Sequence, residues 1–288
     1  MNRLIKIVVP LLFFSIGVFG QSLTKARVDK LRRCVGKITI EGSTTSGTGF
    51  YISSDGSVLT CWHVIADAIT ADSLGNLIDK RRIFFELPSG EKREMFIPLQ
   101  YVRIPVFYKK AILYDYCTLS PAKWVSKKTD FFTLGNFDNI QEGDEIYTAG
   151  YPLGIHQQFV SKGILSVKFV DSTIADSVLN LPSHKREAAF LDITINKGNS
   201  GGPVIRLGKT PSEDRVIGIA DFQLNPLASN AAELNAQLKK VGQDFILDYG
   251  KVKVNLSEIF KLFANSIIYS SNGIGGCISI NHFLQARL

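Results

Sequence analysis

The chain has 288 residues, 45% of them apolar, with 33 Lys and Arg against 26 Asp and Glu, a net charge of +7. That length and apolar content suit one large globular domain or two modest ones. The basic residues are scattered, with short clusters such as Lys80-Arg81-Arg82 and Lys185-Arg186, which describes solvated surface and argues against a nucleic-acid patch.

The chain opens with MNRLIK, an apolar run from Ile7 to Gly20, then Gln21-Ser22. A basic start, an apolar stretch and a small residue at a plausible cleavage point read as a secretory signal peptide over residues 1–20. An uncleaved anchor is the alternative, but the run falls short of the roughly 20 residues a span needs. Export to the periplasm or beyond, without stable membrane insertion, is expected. The four cysteines, Cys34, Cys61, Cys117 and Cys277, form no CxxC pair. A zinc or redox site therefore has little support, and no metal or cofactor is expected. Export would permit disulfides, but each cysteine sits in an apolar run, and buried free thiols are the favoured reading.

From Cys34 the chain alternates short β-like runs with Gly, Ser, Asn and Pro. Strands are expected at Cys34–Glu41, Gly49–Ser53 after an SGTG turn, and Val58–Cys61 after the Ser54-Asp55-Gly56 hairpin signal. A helical turn is expected over Trp62–Ala66. Arg82–Leu87 and Lys92–Pro98 read as a projecting hairpin about Pro88-Ser89-Gly90, and Val102–Phe107 and Ala111–Leu119 as two further strands.

Residues 120–140 read as a connector. A second strand group then covers Glu145–Ala149, Gln158–Val170, Phe190–Ile195, Pro203–Leu207, Val216–Phe222 and, later, Ile274–Ile280. Between the last two, about residues 225–271, the β pattern breaks. Ser229–Val241 and Leu256–Phe263 space their apolar residues as helices do. The reading is an all-β chain of two six-stranded antiparallel barrels, about 27–122 and 136–288, with a partly helical insertion in the second. The insertion either closes over a groove as a lid or pads the barrel.

The most informative stretch is Asn196-Lys-Gly-Asn-Ser-Gly-Gly-Pro203. Its glycines make a tight turn in which the N–H groups of Gly198 and Ser200 can point into one small space, as an oxyanion hole requires. His63 stands where a strand gives way to a turn. Asp115 stands in an otherwise apolar segment, where an unpaired carboxylate would be costly and an imidazole N–H would satisfy it. His63, Asp115 and Ser200 together meet the needs of nucleophilic acyl transfer: base, orienting acid and nucleophile. Asp79 is a fallback acid that lacks the apolar context.

Five segments in order, SGTGFYISSDGSVLTCWHVI (46–65), YDYCTLSP (114–121), GDEIYTAGYPLGIHQQFVSKGILS (143–166), FLDITINKGNSGGPVI (190–205) and RVIGIADF (215–222), resemble the trypsin-like serine proteases of the chymotrypsin fold. The likeness is greatest to the bacterial Deg/HtrA branch, and GIGGCISIN (273–281) resembles that branch's last strand. The resemblance implies His63, Asp115 and Ser200 as a triad and Gly198 and Ser200 as the oxyanion hole. It also implies Thr194 at the base of the primary pocket, with Ala220 and Asp221 at its wall. An uncharged Thr194 suits a small or medium apolar side chain, while Asp221 leaves a basic one open. Asn199 stands where digestive members have Asp, so activation by a newly cut N-terminus is not expected. The stretch of about 80–110 is longer than in the Deg branch, and no PDZ module is expected after residue 285.

The function expected is an exported serine endopeptidase acting on accessible polypeptide, in an oligomeric state the sequence leaves open. The alternative is a non-catalytic or conditionally active peptide-binding module on the same fold. An unrelated esterase would need a GxSxG elbow between strand and helix, whereas Ser200 is followed by Gly-Gly-Pro and a strand. His156, His184 and His282 read as structural or surface residues.

Overall fold

A computed structural model describes residues 23–71, 77–98, 112–123, 128–174, 184–223, 233, 236–237, 246–248, 253–255, 257–262 and 274–286. The expected signal peptide and the strand expected at Val102–Phe107 lie outside the described residues, as does most of the helix expected at Ser229–Val241.

Helix α1 (Lys25–Cys34) starts at Thr24, whose hydroxyl accepts from the Arg27 N–H, and buries Arg27, Leu31 and Cys34. The first barrel follows: β1 (Val35–Ile40), β2 (Ser46–Tyr51) and β3 (Val58–Thr60). After β3 come the single turn α2 (Trp62–Ile65) and a side hairpin, β4 (Ile69–Ala71) and β5 (Leu77–Asp79). Strands β6 (Ile83–Glu86), β7 (Lys92–Phe96) and β8 (Cys117–Pro121) close the sheet in the order β1-β2-β3-β8-β7-β6. The alternation on β6 shows why it joins the barrel. Ile83 and Phe85 are buried, while Phe84 and Glu86 face partly outward. Fully burying a side chain such as Phe85 contributes about 2–3 kcal/mol.

The second barrel contains β9 (Glu145–Gly150), β10 (Phe159–Ile174), β11 (His184–Asp192), β12 (Pro203–Arg206) and β13 (Arg215–Gln223). A small hairpin, β14 (Ile246–Asp248) and β15 (Lys253–Asn255), precedes the closing strand β16 (Ile274–Ser279) and the final helix α3 (Asn281–Ala286). The barrel order is β10-β11-β16-β13-β12-β9, and every strand pair in both barrels is antiparallel. Closure leaves neither sheet with an open edge. One apolar cluster fills the first barrel and runs on to Tyr147, Ala149, Ile205, Val216, Ile219, Ile280 and Phe283 of the second. A separate cluster, including Leu165, Leu191 and Ala220, fills the second barrel itself.

Several expectations are corrected. The pair Arg82–Leu87 and Lys92–Pro98 is not a projection, since β6 pairs with β1 and β7 with β8. Ser46–Gly49 is strand and not turn. The strand expected over Ala111–Leu119 begins only at Cys117. Before it, Asp115 occupies a turn with φ of 50°, left-handed backbone that Asp tolerates better than most residues. Neither α1 nor α3 was expected, and in the insertion residues 257–262 form the second of the two expected helices. All four cysteines are buried and outside any disulfide. No described helix is long and apolar enough to cross a membrane.

Candidate active site

The site lies where the two barrels meet. β3 ends at Thr60, and α2 carries His63 with its side chain 49% exposed. The turn before β8 brings Asp115 beneath the ring. Asp115 Oδ1 accepts from the His63 backbone N–H at 2.8 Å, and Oδ2 lies 2.6 Å from His63 Nδ1. Both carboxylate oxygens thus take their protons from one residue, which fixes Nδ1 as the protonated nitrogen and leaves Nε2 as the acceptor.

The nucleophile turn comes from the other barrel, between β11 and β12. Two glycines make it possible. Gly198 has φ of 101°, and a Cβ there would lie 2.3 Å from the Tyr151 carbonyl oxygen. Gly201 has φ of 87°, and its Cβ would lie 2.1 Å from the Thr48 carbonyl oxygen. From 199 to 202 three of the four backbone N–H groups are bonded: Asn199 N–H donates to Asn196, Gly201 N–H to Ala220 and Gly202 N–H to Asn199. Gly198 and Ser200 N–H find no acceptor among the described residues. The Lys197 carbonyl accepts from Leu153 N–H at 2.6 Å. In a trans peptide the next N–H points the opposite way, so Gly198 N–H is directed away from Leu153. Leu153 itself is held at φ of 55°.

Thr48 on β2, not singled out in the sequence, ties this turn to the first barrel. Its N–H donates to the Ser200 carbonyl at 2.8 Å and its hydroxyl to the Gly198 carbonyl at 2.7 Å. The same hydroxyl accepts from Tyr151 N–H at 3.2 Å. The Ser200 hydroxyl donates to the carbonyl oxygen of Asp221 at 3.2 Å, and among the described residues that is its hydrogen bond.

Of the residues expected at the pocket, Thr194 is exposed. Ala220 is fully buried in the second barrel's core, so its methyl group is not offered to a substrate. Asp221 turns its carboxyl toward the triad instead of outward. Its Oδ1 lies 3.6 Å from His63 Nδ1 and its Oδ2 3.5 Å from Arg186 on β11. Asp79 lies on β5, paired through its backbone with Ile69. Asn199 is buried, and its side-chain oxygen has no hydrogen-bond partner among the described residues. His282 is buried, accepts from Glu187 N–H at 2.9 Å and stacks on Tyr114. A cavity of about 1150 Å³ on the first barrel, lined by Arg93 and Lys128 among others, includes none of the site residues.

The titration of the cluster follows from this geometry. Burial works to lower the His63 pKa, but its hydrogen bond and charge pairing with Asp115 outweigh burial and leave it raised. Burial works to raise Asp115, and hydrogen bonds from His63 and Asp221 outweigh it and hold it down. Asp221 is pushed up to about 8, by burial first and by Asp115 next. Cys61, His63, Asp115 and Asp221 place donor atoms within 4.8 Å of one another. Of these, His63 and Asp115 are hydrogen-bonded to each other and the Cys61 thiol donates to the Ala220 carbonyl, which is the arrangement of an acid–base cluster.

A profile of the trypsin-like peptidase domain matches residues 47–219, more than half of the chain and nearly all of this machinery. The chain belongs to that family. Within it, a probable periplasmic serine endoprotease, DegP-like, from Chlamydia muridarum is 30% identical over 174 residues. The match covers 60% of this chain but 27% of that relative, so the chain spans about a quarter of the relative's length. Among solved structures, the HtrA-type protease AlgW with a tripeptide shares 18% identity at a TM-score of 0.51, over 90% of this chain and 61% of that one. Rv3671c from M. tuberculosis, in an inactive form, shares 14% identity at 0.55, over 90% and 87%. These two likenesses show the fold. Over its peptidase domain the chain is thus similar to proteases named as DegP-like and HtrA-type.

Two contributors to this trypsin-like site escaped the sequence reading. Thr48 carried a weak signal, a lone polar residue between the glycines of SGTG. Arg186 carried none, because its contact with Asp221 joins two strands that are not neighbours in the sheet.

Proposed function

We propose that the chain is an exported serine endopeptidase acting on polypeptide segments in extended form. Ser200 Oγ attacks the peptide carbonyl while His63 Nε2 takes its proton. His63 then gives that proton to the leaving amine, and water repeats the sequence in reverse to free the acyl group. Asp115 holds the Nδ1–H tautomer and stabilises the imidazolium. The unengaged N–H groups of Gly198 and Ser200 receive the oxyanion. The observation that carries this reading is the double contact of Asp115 with His63, which leaves Nε2 as the basic nitrogen. Export rests on the N-terminal apolar run and on the periplasmic name of the DegP-like relative.

One observation favours a conditional form of this activity. The Ser200 hydroxyl donates to the Asp221 carbonyl, so its proton must turn from that carbonyl before His63 can take it. A site that rests with this hydrogen bond made and turns over when peptide arrives accounts for it.

The test is labelling by a fluorophosphonate probe, with Ser200→Ala and His63→Ala as controls, alone and with added unfolded protein. Labelling of the wild type in both conditions supports a standing peptidase, and labelling only with unfolded protein supports the conditional form. No labelling in either refutes both.

A further inference from the structure

Between Ala220 and Phe222 the register of β13 against β16 slips by one residue. Asp221 is the extra residue of this β-bulge. A bulge re-aims a side chain that regular alternation would send elsewhere, and here the carboxyl reaches the floor of the site, 10% exposed. Among the described residues, the charged and titratable groups around it are His63 from α2, Asp115 from the turn before β8, Arg186 from β11, Cys61 from the end of β3 and Cys277 from β16. Both thiols are fully buried, and burial pushes the Cys277 thiol up to about 12.

We propose that Asp221 is a positioning residue, a protonated carboxylic acid that donates a hydrogen bond to Asp115 and so holds the Asp115 carboxylate against His63. The proposal rests on the reading of His63, Asp115 and Ser200 given above. Carboxyl oxygens of the two residues lie within 4.8 Å of one another, close enough that two charged carboxylates would repel, and a proton on one of them turns that repulsion into a hydrogen bond. That proton is not on Asp115, because both Asp115 oxygens already accept from His63, at 2.8 and 2.6 Å. It belongs to Asp221.

Charge counting agrees. With His63 neutral, the described residues of the cluster give it one cation, Arg186, and one carboxylate, Asp115. A second carboxylate in this half-enclosed space would be uncompensated. Arg186 does not remove the difficulty. Its 3.5 Å contact with Asp221 is well beyond the roughly 2.7–2.9 Å of a strong charge-assisted bond.

The consequence is an alkaline limit to activity. As pH rises through about 8, Asp221 gives its proton to solvent, the bond to Asp115 is lost, and two like charges face each other beneath the ring. Asn at position 221 would keep an N–H donor for Asp115 and have no proton to lose.

Two measurements on the full chain test this. The first is infrared difference spectroscopy of Ser200→Ala protein, which needs no turnover. It should show the C=O stretch of a protonated carboxyl at pH 6. That band should vanish as pH rises through about 8 and be missing from the Ser200→Ala, Asp221→Asn double variant. A band missing at pH 6, or unchanged by Asp221→Asn, overturns the proposal even if the protein is a peptidase. The second is probe labelling against pH. In the wild type the rate should fall about tenfold per pH unit above the midpoint, and in Asp221→Asn that fall should be lost. The same alkaline fall in both overturns the proposal. If Asp221→Asn does not fold, the pH titration of the band in Ser200→Ala protein decides alone.

Discussion

The substitution Asp115→Asn separates the tautomer argument from any general effect of charge. In the native site the backbone N–H of His63 lies 2.8 Å from Asp115 Oδ1 and the Nδ1–H 2.6 Å from Oδ2. An Asn amide has one acceptor and one NH2 group. Its oxygen must meet the backbone N–H, which has no other tautomer, so its NH2 is left facing Nδ1. Nδ1 must then accept and Nε2 must carry the proton, which removes the base from Ser200. The expected loss is about 10,000-fold in the rate of labelling or hydrolysis, or about 5 kcal/mol of transition-state stabilisation. Asn also tolerates the left-handed backbone at this position, so the thermal midpoint should stay within a few degrees of wild type. The assay is the rate of fluorophosphonate labelling beside a melting curve, with histidine ring nitrogen NMR reading the tautomer. Activity within tenfold of wild type in a folded Asn variant with the Nε2–H tautomer would refute the reasoning.

Three further outcomes are expected. Arg27→Met should destabilise the fold by about 3–5 kcal/mol, because it strands a buried carboxylate. Arg27 Nε and Nη2 bond Asp214 at 2.8 and 3.0 Å with both side chains nearly enclosed. Urea unfolding measures this, and a change under 1 kcal/mol would contradict it. Gly198→Ala, with its Cβ set against the Tyr151 carbonyl and its φ at 101°, should cut labelling at least about 100-fold by displacing an oxyanion donor. Labelling should also decline as pH falls through the His63 pKa, because the protonated ring cannot act as base. Since Asp115 holds that pKa above its usual value of about 6.5, an acid midpoint below 6 would count against the pairing.

The parts legible in the sequence were those encoded locally. His63 and Asp115, which the structure pairs, and the glycine turn that carries Ser200 each lie in a short pattern whose neighbours announce a strand end, an awkward carboxylate or a tight turn. Most barrel strands could be read from alternation. What could not be read depends on contacts across long separations. Arg27 looks like one more cation on a basic helix, KARVDKLRRC, until β12 and β13 bring Asp214 to it from 187 residues away. Asp221 looks like a pocket residue because regular alternation is the natural assumption for RVIGIADF. Its true direction is set by a one-residue slip against β16, some 55 residues later. The hairpin β6–β7 looked like a projection because the strand that receives it, β1, lies more than 40 residues before it.

The bond pattern around Thr48 explains why this chemistry needs two barrels. Asp115 and His63 belong to the first, and Ser200 belongs to the second, so a small relative shift would separate the base from the nucleophile of the proposed mechanism. Thr48 opposes that shift at two points of the nucleophile turn, the carbonyls of Gly198 and Ser200. Its own carbonyl accepts from the Thr60 hydroxyl at 2.7 Å, three residues before His63. One residue on β2 therefore references both the base and the oxyanion turn to the same strand. Cys61 adds a parallel tie from the His63 side to the Ala220 carbonyl on β13, one residue before Asp221. A catalytic geometry good to a few tenths of an ångström depends on such support, because misplacement by about 1 Å can cost on the order of 100-fold in rate.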